Sequence, residues 1–203
     1  MRRTIAAVLV MTAAVLGLTT AAHALTGTLG NPATDRAYVD GYHNFTIVDT
    51  NHPAPFDGTF THVNYYAERA GDIRFVVVDT TGTVTWVSDV ITAAGAGVQT
   101  ATLADPVGVT AGSNIGVFSV GQGVVSYEYA GAPSEWTANN AGLPAVGDTL
   151  DYEATTQGRV YSMNATVEAS SPEVCKDGGW EMYDYKNQGQ CIASIVADSN
   201  SGK

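Results

Sequence analysis

Through the middle of the chain, apolar positions come in short runs of β-branched and aromatic residues, broken at close intervals by glycine, asparagine, aspartate or proline. Runs of this length and composition read as strands. Nine are predicted: Tyr42–Val48, Thr59–Ala67, Ile73–Asp79, Thr83–Ser88, Val98–Leu103, Asn114–Val120, Val124–Tyr129, Thr149–Glu153 and Val160–Val167. No amphipathic helical window stands among them, so the expected fold is all-β, an antiparallel β-sandwich or jelly roll of about eight to nine strands.

Finer patterning adds detail. Ile73–Val78 and Thr83–Val87 read as a hairpin with Gly82 supplying the positive φ of its turn. Asn114–Val120 and Val124–Tyr129 read as a second hairpin through Gly121-Gln122-Gly123. Phe75–Val78 and Ile115–Val120 are apolar on both faces for part of their length, which places them centrally. Val63, Tyr65 and Ala67 alternate with His62, Asn64 and Tyr66, as a strand with one wet face requires. Residues 131–148 have little β-propensity and form a long loop that covers a core edge or carries function. The small and polar residues of 168–174, with Pro172 among them, read as a linker.

The N-terminus has a different pattern. Arg2 and Arg3 precede an apolar run from Ile5 to Leu18, and Ala22-His23-Ala24 supplies a small-x-small cleavage site, so residues 1–24 read as a secretory signal peptide. The run is too short to cross a bilayer, and no transmembrane anchor is expected. Thr4-Ile5-Ala6 lacks the continuation of a twin-arginine signal, which favours the general secretory route. The predicted organisation is a signal peptide at 1–24, a sandwich domain at 25–167, a linker at 168–174 and a small C-terminal appendage at 175–203.

Charge narrows the partners. Nine Lys and Arg against twenty Asp and Glu give a net charge of −11, and the leader contains no acid, so the exported product is more acidic still. Such a surface repels phosphate backbones and anionic lipid, which argues against nucleic acid. Cys175 and Cys191 are the only cysteines. In an exported chain they are expected to form a disulfide; two cysteines without nearby histidine fall short of a zinc site, and there is no Cys-x-x-Cys redox pair.

The sequence Cys175-Lys176-Asp177-Gly178-Gly179-Trp180, followed by Tyr185-Lys186-Asn187-Gln188-Gly189-Gln190-Cys191, resembles a short C-terminal module of secreted bacterial proteins that starts Cys-Lys-x-Gly-Gly-Trp and ends aromatic-Lys-Asn-Gln-Gly-x-Cys. Met182 and Tyr183 depart from its usual aromatic and glycine positions, and Ile192–Val196 is a looser form of its apolar finish. The resemblance implies export and no defined activity. Trp86-Val87-Ser88, Tyr127–Pro133 and Asn139–Pro144 are similar to uncharacterised secreted bacterial β-sandwich proteins, a likeness that carries over no catalytic residue.

Candidate chemistry is sparse. There is no Gly-x-Ser-x-Gly nucleophile motif. The histidines beyond the leader, His43, His52 and His62, form no metal-spaced pair, although His43 and His62 could meet across adjacent strands. Glu128, Glu135 and Glu153 are the carboxylates from which a glycosidase pair would be drawn. Asp49, Asn51 and Asp57 surround a turn whose oxygens could hold calcium or could simply bond the local backbone. Trp136 with Glu135, Asn139 and Asn140 offers an apolar ring beside amide and carboxylate groups suited to sugar hydroxyls, or a plug for one end of the sandwich. Trp86 reads as core and Trp180 as packing inside the disulfide loop. The expected function is a secreted, non-catalytic module that binds carbohydrate or a cell-surface component; the alternative is a secreted hydrolase without a recognisable motif.

Overall fold

The computed structural model describes residues 25–129, 134–137, 141–155 and 158–201, with the backbone alone at 136, 153–155 and 197–201. Its strands are β1 (Thr26–Gly30), β2 (Phe45–Asp49), β3 (Gly58–Ala67), β4 (Gly71–Val78), β5 (Val84–Val87), β6 (Ile91–Ala93), β7 (Gly97–Val109), β8 (Asn114–Ser119), β9 (Tyr127–Tyr129), β10 (Ser134–Thr137), β11 (Tyr152–Thr155), β12 (Arg159–Tyr161) and β13 (Met163–Ala169). They pair antiparallel into a four-stranded sheet ordered β1-β13-β3-β7, a sheet ordered β11-β10-β2-β8-β4-β5 with β6 also on β4, and a small β12-β9 pair. Each of the nine expected strands has a counterpart, the last divided into β12 and β13, and β1, β6 and β10 are additional.

The two main sheets enclose one core. Val63, Tyr65, Met163, Ala165 and Val167 from the first sheet and Ile47, Ile73, Phe75, Val77 and Ile115 from the second are all at most 2% exposed. The alternation in β3 follows the pleat: Val63, Tyr65 and Ala67 are buried and His62 is exposed. Strands β4 and β8 are central, as their continuous apolar character requires, because the second sheet is covered on its other face too. There Val48, Val76, Val78 and Val84 pack under Leu150 and Tyr152. Residues 145–150, within and just after the stretch read as a long loop, contribute to that cover and bond to the turn and the start of β5, Val84 N donating to Asp148 O and Leu150 N to Gly82 O.

The β4–β5 hairpin forms as expected, with Gly82 at φ +84°. Asp79 holds the turn, its Oδ1 accepting from Thr81 N, Thr81 Oγ1 and Thr83 N. The second expected hairpin does not form. Both edges of β8 are occupied, by β2 and β4, so the chain after Ser119 leaves the sheet and β9 pairs with β12 instead.

Strand β13 runs through Glu168 and Ala169, which pair with Thr59 and Gly58. Beyond it come two short 3-10 turns, Pro172–Cys175 and Gly179–Tyr183, and then a helix, α1 (Gln188–Ser201), which has no counterpart among the expected elements. Asn187 caps α1 by accepting from Gln190 N at 2.9 Å, while Gln190 Oε1 accepts from Lys186 N. A disulfide joins Cys175 and Cys191, as expected. The appendage packs on the sandwich, with Tyr183 edge-on to Phe56 at 5.7 Å. Among the described residues no helix is long and apolar enough to cross a membrane.

Candidate functional site

One open edge of the sandwich carries a groove of about 500 Å³. One wall is the β5–β6 corner of the second sheet, the other the bulged part of β7 in the first. The bulge follows from register: Phe60 pairs with Val107 but His62 pairs with Thr102, so Leu103–Pro106 stand opposite Thr61 alone. Proline tolerates that position because a bulge asks for no ladder N–H. Leu103 turns inward and packs on the core, leaving Asp105 and Pro106 exposed.

The facing wall is rigidly set. Buried Ser88 accepts from Phe75 N and donates to Asp89 O, and Arg74 Nη1 donates to Ser88 O at 3.0 Å. Trp86 is half-buried, and its ring meets Phe60 edge-to-face at 5.8 Å and 85°. The groove therefore combines an anchored aromatic ring with oxygen-bearing side chains from Thr85, Thr102, Asp89 and Asp105. From its place in an alternating strand Trp86 is expected in the core. The structure puts it at the margin, packed on the core and lining the groove, because β5 is a four-residue edge strand that the 145–150 segment covers only at Val84. The adjacent turn and the Asp89 and Asp105 carboxylates were the only sequence signals of this.

A second cluster lies around the β9–β12 pair. Asp40 is 5% exposed; its Oδ1 accepts from Arg159 Nη1 at 2.8 Å and its Oδ2 from Tyr161 Oη at 2.9 Å. The Arg159 guanidinium lies 4.4 Å from the centre of the Tyr127 ring and 5.6 Å from that of Tyr129. Tyr38 packs on both rings. Burial pushes the Asp40 carboxyl above the usual carboxylate range, opposed by the bonds from Tyr161 and Arg159. Burial likewise pushes Tyr127 and Tyr161 up, whereas Tyr129 is drawn down by the neighbouring Tyr127 hydroxyl and then by Arg159. Arg36 pairs with Glu128 beside this cluster. Arg159 already fills the space between the tyrosine faces, so the cluster clamps β9, β12 and residues 36–40 together rather than presenting an empty cage.

The residues singled out from sequence are dispersed. Asp49 is fully buried and accepts from Asn31 Nδ2, Tyr161 N, Asn51 N and Asn51 Nδ2. Asp57 is exposed and accepts from Ala111 N. Asp49 and Asn51 thus meet, but Asp57 serves another loop. Among the described residues no group of three or more His, Cys, Asp or Glu side chains is placed to hold a metal ion.

Glu135 and Trp136 lie on β10, pairing with Val48 and Ile47 of β2. Burial, and after it the Glu135 carboxylate, raises the Tyr152 hydroxyl to about 12. Asn139 and Asn140 lie outside the described residues, as does the side chain of Glu153. Glu128, on β9, and Glu135, on β10, belong to different sheets. His43 precedes β2 in one main sheet and His62 lies on β3 in the other, so these two do not meet across adjacent strands. His62 Nδ1 is bonded to Thr61 Oγ1, and His52 Nδ1 to Asn31 Oδ1. Comparison of the chain with protein-family models, with curated proteins and with solved structures finds no match.

Proposed function

We propose that the protein is an exported, non-catalytic β-sandwich module that binds neutral carbohydrate in the groove lined by Trp86. The observation that supports this reading is the pairing of a ring fixed on Phe60 with carboxylate and hydroxyl groups in one groove. A pyranose has a C–H face that packs on an indole and hydroxyls that donate to carboxylates, and sites of this kind join an apolar surface to a few placed polar groups. Net negative charge disfavours uronates and sulfated chains, which leaves neutral glycans. Export rests on the predicted leader at 1–24 and accords with a disulfide, since such bonds persist in oxidising compartments. The likeness of residues 175–196 to a module of secreted bacterial proteins points the same way. A glycan array probed with the purified protein, run beside a panel of glycoside and ester substrates, tests the reading. Saturable binding without turnover is expected; turnover of a glycoside would favour the hydrolase alternative.

A further inference from the structure

Sheet edges are templates for further strands, and folded proteins normally blunt them with short strands, bulges, proline, charge or covering segments. Three of the edges here follow that rule. Strand β1 has five residues and is flanked by the 52–56 segment, Gly30 N donating to His52 O. Strand β5 has four residues and is bonded at Val84 by the 145–150 segment. Strand β11 also has only four. Strand β7 is divided: its second half is bulged and carries Asp105 and Pro106, whereas Gly97–Thr102 runs in unbroken register with β3 on one side. That half contains no proline and no charge, and no Asp, Glu, Lys or Arg occurs anywhere from Ile91 to Ala104. Val98 at its exposed face is 63% accessible.

The segment is also held ready. Gln99 points inward, accepting from Tyr65 Oη at 3.2 Å and from Ala94 N, and donating to Gly95 O at 2.6 Å, so the approach to the strand is pinned. Thr100 donates to Asn64 Oδ1 on the neighbouring strand at 2.7 Å.

We propose that Gly97–Thr102 pairs antiparallel with the same segment of a second copy, joining two four-stranded sheets into one. Symmetry selects this occupant, and charge places the contact: two chains this acidic repel over most of their surfaces and can approach closely only where neither carries charge. An antiparallel edge is self-complementary under a two-fold axis. Centred at Thr100, that axis sets Thr100 against its counterpart and Val98 against Thr102, all on one face because the side-chain period is two. So short a strand buries little area, and the association is weak and concentration-dependent.

Sedimentation velocity over a concentration series tests this, with thermal unfolding confirming that each variant is folded. The wild-type protein is expected to shift from monomer to dimer with rising concentration. Thr100→Lys and Thr100→Asp each place like charges opposite one another and should weaken dimerisation by ~10-fold or more. An equal mixture of the two should restore it. Val98→Glu, at a position whose side chain projects into solvent, should weaken it as well. A wild-type protein that stays monomeric throughout, single variants that dimerise like wild type, or a mixture that does not recover would each overturn the proposal.

Discussion

The Tyr161 hydroxyl donates to the Asp40 carboxylate at 2.9 Å, tying strand β12 to a segment 121 residues earlier that belongs to no strand. Tyr161→Phe keeps the ring, which packs on Tyr127 at 5.1 Å, and removes only the donor. The expected loss is about 1–3 kcal/mol in urea unfolding, because a buried carboxylate loses a partner.

The pH dependence of that loss has a definite sign. The Asp40 carboxyl titrates above its ordinary value in the folded protein, so between the two values the native state holds a proton that the unfolded chain has released. Its contribution to stability is therefore present at acid pH and declines as pH rises through that window. Removing the Tyr161 bond raises the Asp40 carboxyl further, so Tyr161→Phe should show a steeper decline than wild type across the acid limb. Parallel curves would contradict this.

Asp49 is the acceptor for three residues at once, and Asp49→Ala leaves the donors of Asn31, Asn51 and Tyr161 without it in a buried site. A loss of about 3–5 kcal/mol is expected. The same bonds occupy the oxygens that calcium would need, so calcium or a chelator should leave the thermal midpoint unchanged. A midpoint rising with calcium would revive the metal reading of Asp49, Asn51 and Asp57.

How far the sequence foretold this structure depends on the range of the signal. Strands β3, β4 and β8 announce themselves through residues that are neighbours in sequence, either alternating or continuously apolar. Strand β10 has only Ser134-Glu135-Trp136-Thr137, and β2, its partner on one side, is remote in the chain. The false hairpin after β8 came from a local glycine signal that could not show that both edges of β8 were already taken. Helix α1 did have a local sign, the Asn187-Gln188-Gly189-Gln190 capping pattern, masked by the weakly apolar run after it. The groove was the least legible feature, since it joins Trp86 to a bulge defined only by the pairing of β7 with β3.

Among the clustered tyrosines, Tyr129 should ionise first. The neighbouring Tyr127 hydroxyl and Arg159 favour its phenolate, while burial holds Tyr127 and Tyr161 back. An alkaline absorbance titration should show an early phase that disappears in Tyr129→Phe. Persistence of that phase would assign it to another ring.

The disulfide closes a loop with a sequence separation of 16, for which chain entropy gives about 3 kcal/mol. Replacing Cys175 and Cys191 together by serine should lower the denaturant midpoint accordingly. An unchanged midpoint would mean that the packing of Tyr183 on Phe56 and of Ile195 on the core holds the appendage without the bond.

The groove itself is tested most directly by calorimetric titration of neutral oligosaccharides into wild type and Trp86→Ala, with circular dichroism confirming that the variant is folded. Binding by wild type and a loss of ~10-fold or more in the variant is the expected result, since stacking of a sugar on the ring is what the site offers. Equal affinity in the two proteins, or no binding of any neutral glycan by wild type, would contradict it.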